Sequence, residues 1–458
     1  MNDPHQQDIA SHIHPQSNLN NHEHTGPMIM SHGEGVHVFD HAGNKYIDAV
    51  AGLWCASLGY SDQALIDAAT SQLKQLPYFQ TFASKSNEPA IELASRLIAM
   101  APVPMSKVLF QNSGSEAVDT AMKLVWYYQN IRGKPTKKKI ISRRQGYHGT
   151  SVAAASLTGL AGMHKHFDLP IAGVIHVDCP HYYRSGNKGE TEQEYASRCI
   201  SAIEQEIIEQ GAETIAAFFA EPIMGTGGVI VPPQSYFEKL HGVLKKYDIL
   251  LVADEVICGF GRTGNTWGSQ TVGMVPDMIT CAKALSSAYM PISALMISDD
   301  IYQKLKSGSD DVGVFGHGYT YSGHPVCAAV ALETLKQYEN RNLFEHIRVV
   351  APGLQEGLRE FRDHPLVGEV RGVGLMAGLE LVQDKATKQS FDPALKMGAR
   401  VAAHAETKGV IVRALGDTLV FAPPFIITES QIVEIVQVIG QALDDTLHEL
   451  TRDQLKTS

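Results

Sequence analysis

Short apolar runs that end on polar residues recur along the middle of the chain, beginning near residues 107, 139, 215 and 249. The clearest is Ile249–Ala253, which stops at Asp254. Runs of this length are typical of strands buried on both faces, because a helix needs a longer pattern. Helix-like spacing between the runs predicts an α/β fold with a large, doubly wound, mostly parallel sheet. In such a sheet, functional side chains collect at the carboxyl ends of the strands.

A change of pattern near residue 331 predicts a second, smaller domain. Helical spacing there gives way to strand-like alternation around Gly368–Glu380. The 458 residues also exceed the roughly 250–300 that one hydrophobic core supports. We therefore expect an N-terminal arm (1–34), a large domain (76–330), and a smaller discontinuous α+β domain built from two segments (35–75 and 331–458).

Composition and charge exclude several functional classes. The sequence is 44% hydrophobic and 19% charged, as expected of a globular protein, and its net charge of −11 disfavours nucleic-acid binding. No apolar run approaches the ~18 residues of a membrane-spanning helix, so we expect no membrane partner. The N-terminus lacks a signal-peptide pattern, and the six cysteines lack metal or disulfide spacing. We expect a cytoplasmic protein.

The N-terminal arm is rich in histidine, at His5, His12, His14, His22, His24 and His32. Histidine-rich tracts can bind metal. These histidines are irregularly spaced, with no cysteine or acid cluster among them. We expect no metal site, and predict an arm that packs over another part of the protein.

Two residues at predicted strand ends suggest a specific cofactor. Asp254 ends one apolar run, and Lys283 ends another that begins near Asp277. A buried lysine is costly unless it is paired or chemically used. Pyridoxal 5'-phosphate (PLP) needs a lysine for covalent attachment and an acid beside its pyridine nitrogen. A structural Asp–Lys ion pair is the alternative.

Other strand ends carry groups that suit such a cofactor. Ser113, Gly114 and Ser115 lie between a predicted strand and helix, where backbone N–H groups and hydroxyls can bind phosphate. Ordinary helix caps would show the same residues, and the motif is neither a Walker loop nor GxGxxG. Tyr147 can stack on a flat ring or pack in the core, and Glu221 follows another apolar run.

Together these residues resemble the class III aminotransferases, within the fold type I group of PLP enzymes. The resemblance covers about residues 12–445 and extends to the ω-amino acid and amine:pyruvate transaminases, including those that use diamines. Its motifs are Leu250–Gly264 leading to Lys283, His317–Pro325, Asn112–Ala117 and Gly146–Gly149.

The resemblance implies roles for the residues around the cofactor ring. Lys283 would hold PLP covalently and, when freed, move the substrate's proton. Asp254 would pair with the pyridine nitrogen, Tyr147 and Val256 would cover the two ring faces, and Glu221 would lie near the ring hydroxyl.

It also implies phosphate and substrate contacts. Gly114 and Ser115 would bind the phosphate with Thr320 of the partner subunit, and Ser113 and His148 belong to the same cofactor-binding motifs. The expected substrate pocket is formed by Trp54, Tyr147, Arg413 and Phe82 of the partner subunit.

The resemblance thus predicts a PLP-dependent transaminase that moves an amino group from an amine, diamine or ω-amino acid to pyruvate or another 2-oxo acid. Its ping-pong mechanism would run through Lys283 in a homodimer or a tetramer built from two dimers. An aminomutase or racemase on the same fold is one alternative. A non-catalytic ligand-binding protein is another. The natural amino donor stays open.

Overall fold

The computed structural model describes residues 3–457 of the chain. Its strands in this range are β1 (Met30–Glu34), β2 (His37–Asp40), β3 (Lys45–Asp48), β4 (Lys107–Gln111), β5 (Lys139–Arg143), β6 (Val174–Val177), β7 (Ile215–Ala220), β8 (Leu250–Asp254), β9 (Met278–Cys281), β10 (Ser293–Ile297), β11 (Val367–Val373), β12 (Met376–Leu381), β13 (Val410–Ile411), β14 (Arg413–Leu415) and β15 (Thr418–Phe421).

The helices of the same range are α1 (Pro4–Ser11), α2 (Leu19–Thr25), α3 (Ala51–Trp54), α4 (Gln63–Gln75), α5 (Glu88–Met100), α6 (Gly114–Ile131), α7 (Val152–Leu157), α8 (Tyr182–Ser185), α9 (Glu192–Gln210), α10 (Tyr236–Lys246), α11 (Gly268–Val272), α12 (Asp299–Val312), α13 (Pro325–Asn340), α14 (Leu343–Arg359), α15 (Met397–Thr407) and α16 (Glu429–Thr457). Short 3-10 turns occur as well, and one of them is Lys283–Leu285. In residues 3–457 no helix is both long and apolar enough to cross a membrane.

The central sheet has seven strands in the order β4-β10-β9-β8-β7-β5-β6. Strands β9, β8, β7, β5 and β6 are parallel, and β10 is antiparallel to both of its neighbours. The carboxyl ends of β4, β5, β7, β8 and β9 therefore meet at one edge. The prediction of a large, mostly parallel sheet is confirmed.

Both faces of this sheet are buried, which explains the uninterrupted apolar runs. Along β8, Leu251 and Ala253 enter one hydrophobic cluster, whereas Leu250 and Val252 enter the cluster on the other face. All four side chains are buried. A polar residue can therefore follow only where the strand leaves the core, as it does at Asp254.

Two four-stranded sheets complete the fold. One has the order β1-β2-β3-β13 and the other β11-β12-β15-β14. The parallel pairing of β3 with β13 joins the hairpin of residues 37–48 to the C-terminal part of the chain. The boundaries of the four predicted segments stay a prediction.

Candidate active site

The aligned strand ends enclose a cavity of about 390 Å³, within the usual size range of small-molecule sites. Its lining residues come from loops after five strands and are Asn112, Ser113, Gly114, Ser115, Tyr147, His148, Gly149, Glu221, Asp254, Val256, Ile257, Ala282, Lys283, Ser286, Ala288, Met290, Pro291 and Ile292. Ten residues were expected to form the cofactor site. Nine of them line this cavity, and the tenth, Thr320, lies elsewhere.

One wall of the cavity is the N-terminus of α6. Ser113 caps this helix, its hydroxyl accepting a hydrogen bond from the Glu116 N–H at 3.2 Å. The N–H groups of the first helical turn have no partner within the helix and attract anions. Close packing holds this wall in place, because a Cβ on Gly114 would stand only 3.1 Å from Val256 Cγ1.

The loop after β5 crosses the same wall at Gly149. A Cβ on this residue would lie 2.4 Å from the Ser115 Oγ, and its φ of +133° is unfavourable for other residues. The Thr150 N–H donates to the same hydroxyl at 3.0 Å. Ser115 is thus fixed from outside its own helix.

Asp254 ends β8 with its carboxylate buried. His148 Nδ1 lies 2.8 Å from Asp254 Oδ2, and the Val256 N–H donates to Oδ1 at 3.1 Å. Thr280 Oγ1 lies 3.4 Å from the same Oδ1. The carboxylate orientation is therefore fixed by groups from three strand ends.

Glu221 is buried after β7 and binds two backbone groups. Its Oε1 accepts from the Tyr147 N–H at 3.0 Å and its Oε2 from the Gly225 N–H at 2.9 Å. Burial raises the pKa of the Glu221 carboxyl, and nearby Asp254 adds to the shift. The contact to Tyr147 fixes the backbone from which that ring projects into the cavity.

Lys283 follows β9 with a φ of +49°, a left-handed conformation uncommon for a residue with a side chain. Such strain is concentrated at functional sites. Burial lowers the pKa of the Lys283 amine, while the charge of Asp254 acts in the opposite direction. A less basic lysine is a better nucleophile and proton acceptor near neutral pH.

A larger cavity of about 810 Å³ adjoins the first and shares Tyr147 and Lys283 with it. Its lining residues are Gln16, Leu53, Trp54, Gln145, Tyr147, Leu160, Met163, His181, Arg184, Thr226, Gly227, Lys283, Arg371, Glu380, Ser390, Arg413, Leu415, Gly416 and Thr418. Trp54 is fully buried, and its indole N–H has no partner among the described residues.

Three guanidinium groups line this larger cavity, and they differ in their partners. Arg371 Nη1 lies 2.6 Å from Glu369 Oε2, and Arg184 pairs with Glu380. Among the side chains of residues 3–452, no carboxylate pairs with Arg413. Burial lowers the pKa of Arg413. Arg413 is half-buried at the start of β14, where it pairs with Val420 of β15.

Two predicted site residues do not reach either cavity of their own chain. Thr320 is exposed, and the Phe82 side chain is 49% exposed on the surface. The two segments contact each other, since the Tyr78 hydroxyl donates to the Thr320 carbonyl at 2.8 Å. Their expected contribution to a partner's site stays a prediction.

Sequence reasoning missed several residues of the larger cavity. Gln16, from the loop between α1 and α2, reaches its lining, as does the paired cluster of Arg371 and Glu380. Only the polar character of the arm and the predicted packing over another part of the protein pointed towards Gln16. Nothing local marks Arg371, because its neighbours are assembled by the pairing of β11 with β12.

A family model described as aminotransferase class-III matches residues 19–443. This chain belongs to the class III aminotransferases. Such enzymes have the fold type I architecture and use PLP, so the predictions of family, fold, enzyme class and cofactor are confirmed.

Several known proteins are similar to this aminotransferase. It is 48% identical over 421 residues to mitochondrial gamma aminobutyrate transaminase 1 of Solanum lycopersicum, covering 92% of this chain and 82% of that protein. A crystal structure of the Pseudomonas jessenii omega transaminase with PMP has a TM-score of 0.97 and 51% identity, covering 98% of this chain and 99% of that chain. A thermostable omega transaminase variant, with one tryptophan, one phenylalanine and one arginine replaced, was engineered for asymmetric synthesis of enantiopure bulky amines. It has a TM-score of 0.96 and 50% identity, covering 97% of this chain and 99% of that chain.

The smaller cavity fits PLP in its chemistry. It combines a helix N-terminus for an anion, a buried carboxylate at Asp254 and a lysine of lowered pKa at Lys283. Glycine at positions 114 and 149 allows this wall to pack closely against Val256 and Ser115, where an added Cβ would crowd both residues. When bound, PLP supplies an electrophilic carbonyl carbon and a ring that accepts electrons.

Proposed function

We propose that this aminotransferase moves an amino group from an amine, diamine or ω-amino acid to pyruvate or another 2-oxo acid. The observation that carries the proposal is the pairing state of Arg413. Of the guanidinium groups in the larger cavity, that of Arg413 has no carboxylate partner among the side chains of residues 3–452, and the cavity also contains Lys283. A carboxylate-bearing substrate would supply that partner through a bidentate contact.

In the smaller cavity, the proposed cofactor contacts follow from the chemistry of each wall. Gly114 and Ser115, next to the cap Ser113, would bind the phosphate at the α6 N-terminus. Asp254 would hold the pyridine nitrogen protonated, with His148 orienting its carboxylate. These contacts are supported by the buried 2.8 Å His148–Asp254 hydrogen bond.

The other cofactor contacts concern the ring and its attachment. Tyr147 and Val256 would cover the two ring faces, and Glu221 would lie near the ring hydroxyl while holding the Tyr147 backbone. Lys283 would hold PLP covalently and, once released, take a proton from the substrate carbon and return it. Lys283 would be released in the first half-reaction and reattached only at the end of the second, so that one product leaves before the other substrate binds, which is a ping-pong mechanism.

Trp54, Phe82 and Arg413 are the proposed determinants of substrate shape. The engineered relative carries its three substitutions at a tryptophan, a phenylalanine and an arginine, and the intervals between these positions are the same as in this chain. Trp54 and Arg413 line the larger cavity here. An aromatic wall beside a guanidinium suits both an apolar amine and a small 2-oxo acid.

The amino donor of the proposed reaction has a primary amine distant from any carboxylate. The curated relative is named for gamma-aminobutyrate, which is an ω-amino acid. Arg413 could bind the distal carboxylate of such a donor and, in the second half-reaction, the carboxylate of pyruvate. One cation would then serve both substrates in turn.

We also infer that the working form is a homodimer, or a tetramer built from two dimers. Phe79, Phe82 and Tyr321 are exposed at 46%, 49% and 58%. Tyr78 joins these segments, its ring lying 5.8 Å from that of Tyr321. An exposed aromatic patch of this kind is typical of a protein interface. Across it, Thr320 and Phe82 of the partner subunit would complete each site.

All six cysteines are free thiols, and four of them are buried. This supports the expectation of a reducing compartment such as the cytoplasm.

A panel of donors tests the proposed reaction. Purified holoenzyme is incubated with gamma-aminobutyrate, β-alanine, putrescine or an aryl amine, each with pyruvate or with 2-oxoglutarate. We expect the aldehyde or ketone product together with an equal amount of alanine when pyruvate is the acceptor. Activity confined to 2-amino acid donors, or donor isomerisation without alanine, would overturn the proposal.

A further inference from the structure

A cluster of imidazoles surrounds one carboxylate in the N-terminal arm. His14 Nε2 lies 2.8 Å from Asp8 Oδ1, and His22 Nε2 lies 3.0 Å from the same oxygen. His12 Nδ1 lies 3.2 Å from the other oxygen of Asp8. Asp8 belongs to α1, His14 to the following loop and His22 to α2, so the cluster joins three parts of the arm.

The donor atoms of Asp8, His14 and His22 all lie within 4.8 Å of one another. In a tetrahedral zinc site with bonds near 2.0–2.1 Å, ligand atoms are about 3.3 Å apart. The two observed nitrogen–oxygen distances are only a few tenths of an ångström shorter. Small rotations of the two rings would make room for a metal ion.

The chemistry of the three ligands favours a particular group of metals. Imidazole nitrogens suit Zn²⁺, Co²⁺, Ni²⁺ and Cu²⁺ better than Mg²⁺ or Ca²⁺, and a single carboxylate completes a common set. Asp8 has no Lys or Arg partner among the side chains described, those of residues 3–452. His12 stands beside the cluster, its ring 4.5 Å from that of His14, and would approach a fourth position otherwise taken by water.

A second group of potential ligands shows why this cluster is the better candidate. The donor atoms of His181, Glu369 and Glu380 are equally close to one another. Their carboxylates, however, already bind Arg371 and Arg184. Two fixed positive charges oppose a cation there, whereas the partners of Asp8 are imidazoles that can be neutral ligands.

We propose that Asp8, His14 and His22 form a binding site for one divalent transition-metal ion such as Zn²⁺. The bound ion would link α1 to α2 and close the loop of residues 12–18. That loop carries Gln16 into the lining of the larger cavity. The metal would thus hold the arm against the body of the enzyme.

Titration with Co²⁺ tests the site directly. Untagged holoenzyme is treated with a chelator, dialysed, and titrated with Co²⁺ while the visible d–d bands of a tetrahedral site are recorded. We expect saturation at one ion per chain and displacement by Zn²⁺. His14→Ala/His22→Ala should weaken binding by more than about tenfold, since loss of even an indirect partner of a ligand costs that much. Asp8→Asn should weaken it as well.

His24→Ala is the matched control. His24 lies on the same helix as His22, but its ring bonds the Asn20 carbonyl, outside the cluster. This variant should bind Co²⁺ as wild type does. As an independent measure, Zn²⁺ should slow proteolysis within residues 3–25 of wild type and of His24→Ala, but not of the double variant. Absence of a saturable band in wild type, or equal binding by the double variant, would overturn the proposal.

Discussion

Nδ1 of His148 lies 2.8 Å from Oδ2 of Asp254, and both side chains are buried. The imidazole comes from the loop after β5 and the carboxylate from the end of β8, so sheet formation is what joins them. His148 thereby controls the orientation of Asp254, one of the two carboxylates that line the cavity with Lys283. The relationship makes Asp254 the electrostatic centre of the proposed cofactor site and His148 its positioning residue.

Asp254→Asn should reduce the rate of the first half-reaction by about 10²–10³-fold, the scale of losing one preorganised electrostatic group. The amide keeps the shape but not the charge that stabilises a protonated pyridine. Stopped-flow spectroscopy with an amine donor measures the effect. His148→Ala leaves Asp254 charged but removes the hydrogen bond that orients it. The rate of the first half-reaction should therefore fall about 10–100-fold in this variant. Near wild-type rates in Asp254→Asn would make Asp254 a structural residue.

Arg413→Ala should raise KM for pyruvate about 10–100-fold, which corresponds to the ~1.5–3 kcal/mol of a charge-assisted contact. KM for an amine donor without a carboxylate should change little, whereas KM for gamma-aminobutyrate should rise. Steady-state kinetics with the two kinds of donor separates these effects. Arg413→Lys keeps the positive charge but loses the bidentate contact of the guanidinium. Its KM for pyruvate should therefore lie between those of wild type and Arg413→Ala. An equal rise in KM for every substrate would show that Arg413 has a structural role.

Gly149→Ala should weaken PLP binding by at least about tenfold, because the added Cβ would displace Ser115 from the α6 N-terminus. Equilibrium dialysis of PLP measures the affinity. The control is Gly133→Ala, where φ is also positive, at +72°, but no atom lies within 4 Å of the added Cβ. Gly133→Ala should lose some thermal stability and keep its PLP affinity. Equal PLP affinity in the two variants would contradict the assigned phosphate wall.

Local sequence pattern predicted several walls of the smaller cavity, whereas His148 and Val256 were implied only by the family resemblance. Each of its walls follows an apolar run, and parallel strands bring their carboxyl ends together whatever their order in the sheet. Asp254 and Lys283 therefore met as expected, and Ser113–Ser115 began a helix as the motif indicated. The antiparallel orientation of β10 left this edge intact.

The larger cavity was less predictable because its walls come from distant parts of the chain. Nothing in the local sequence marks Arg413 as a strand residue, since Gly416 follows closely, yet pairing with β15 makes its position part of a strand. Nothing in the local sequence marks Asp8, because it lies between histidines of irregular spacing. Only the packing of α1 against α2 brings His14 and His22 to one carboxylate.

The stability of the apoenzyme should depend on pH through Lys283. Burial lowers the pKa of this amine in the folded state, so the unfolded chain binds its proton more tightly. The folded state therefore gains stability as pH rises from the lowered pKa to about 10.4, and loses it as pH falls. Apo Lys283→Met should have a higher Tm than apo wild type at pH 7, with the difference shrinking towards pH 10.4.

The control for this pH effect is Lys74→Met, which changes an exposed lysine on α4 and should leave the pH dependence of Tm unaltered. Thermal unfolding of the three apoproteins across the pH range measures the difference. If the difference in Tm between Lys283→Met and wild type does not change with pH, the substitution acts through packing rather than through charge.

The most direct test of the proposed mechanism is the site of PLP attachment. Holoenzyme is reduced with borohydride, digested, and its peptides are analysed by mass spectrometry. We predict a pyridoxyl phosphate mass on the peptide containing Lys283. Lys283→Ala should carry no such label and show no amino transfer, although it can still bind PLP non-covalently. A label on another lysine, or full turnover by Lys283→Ala, would contradict the account.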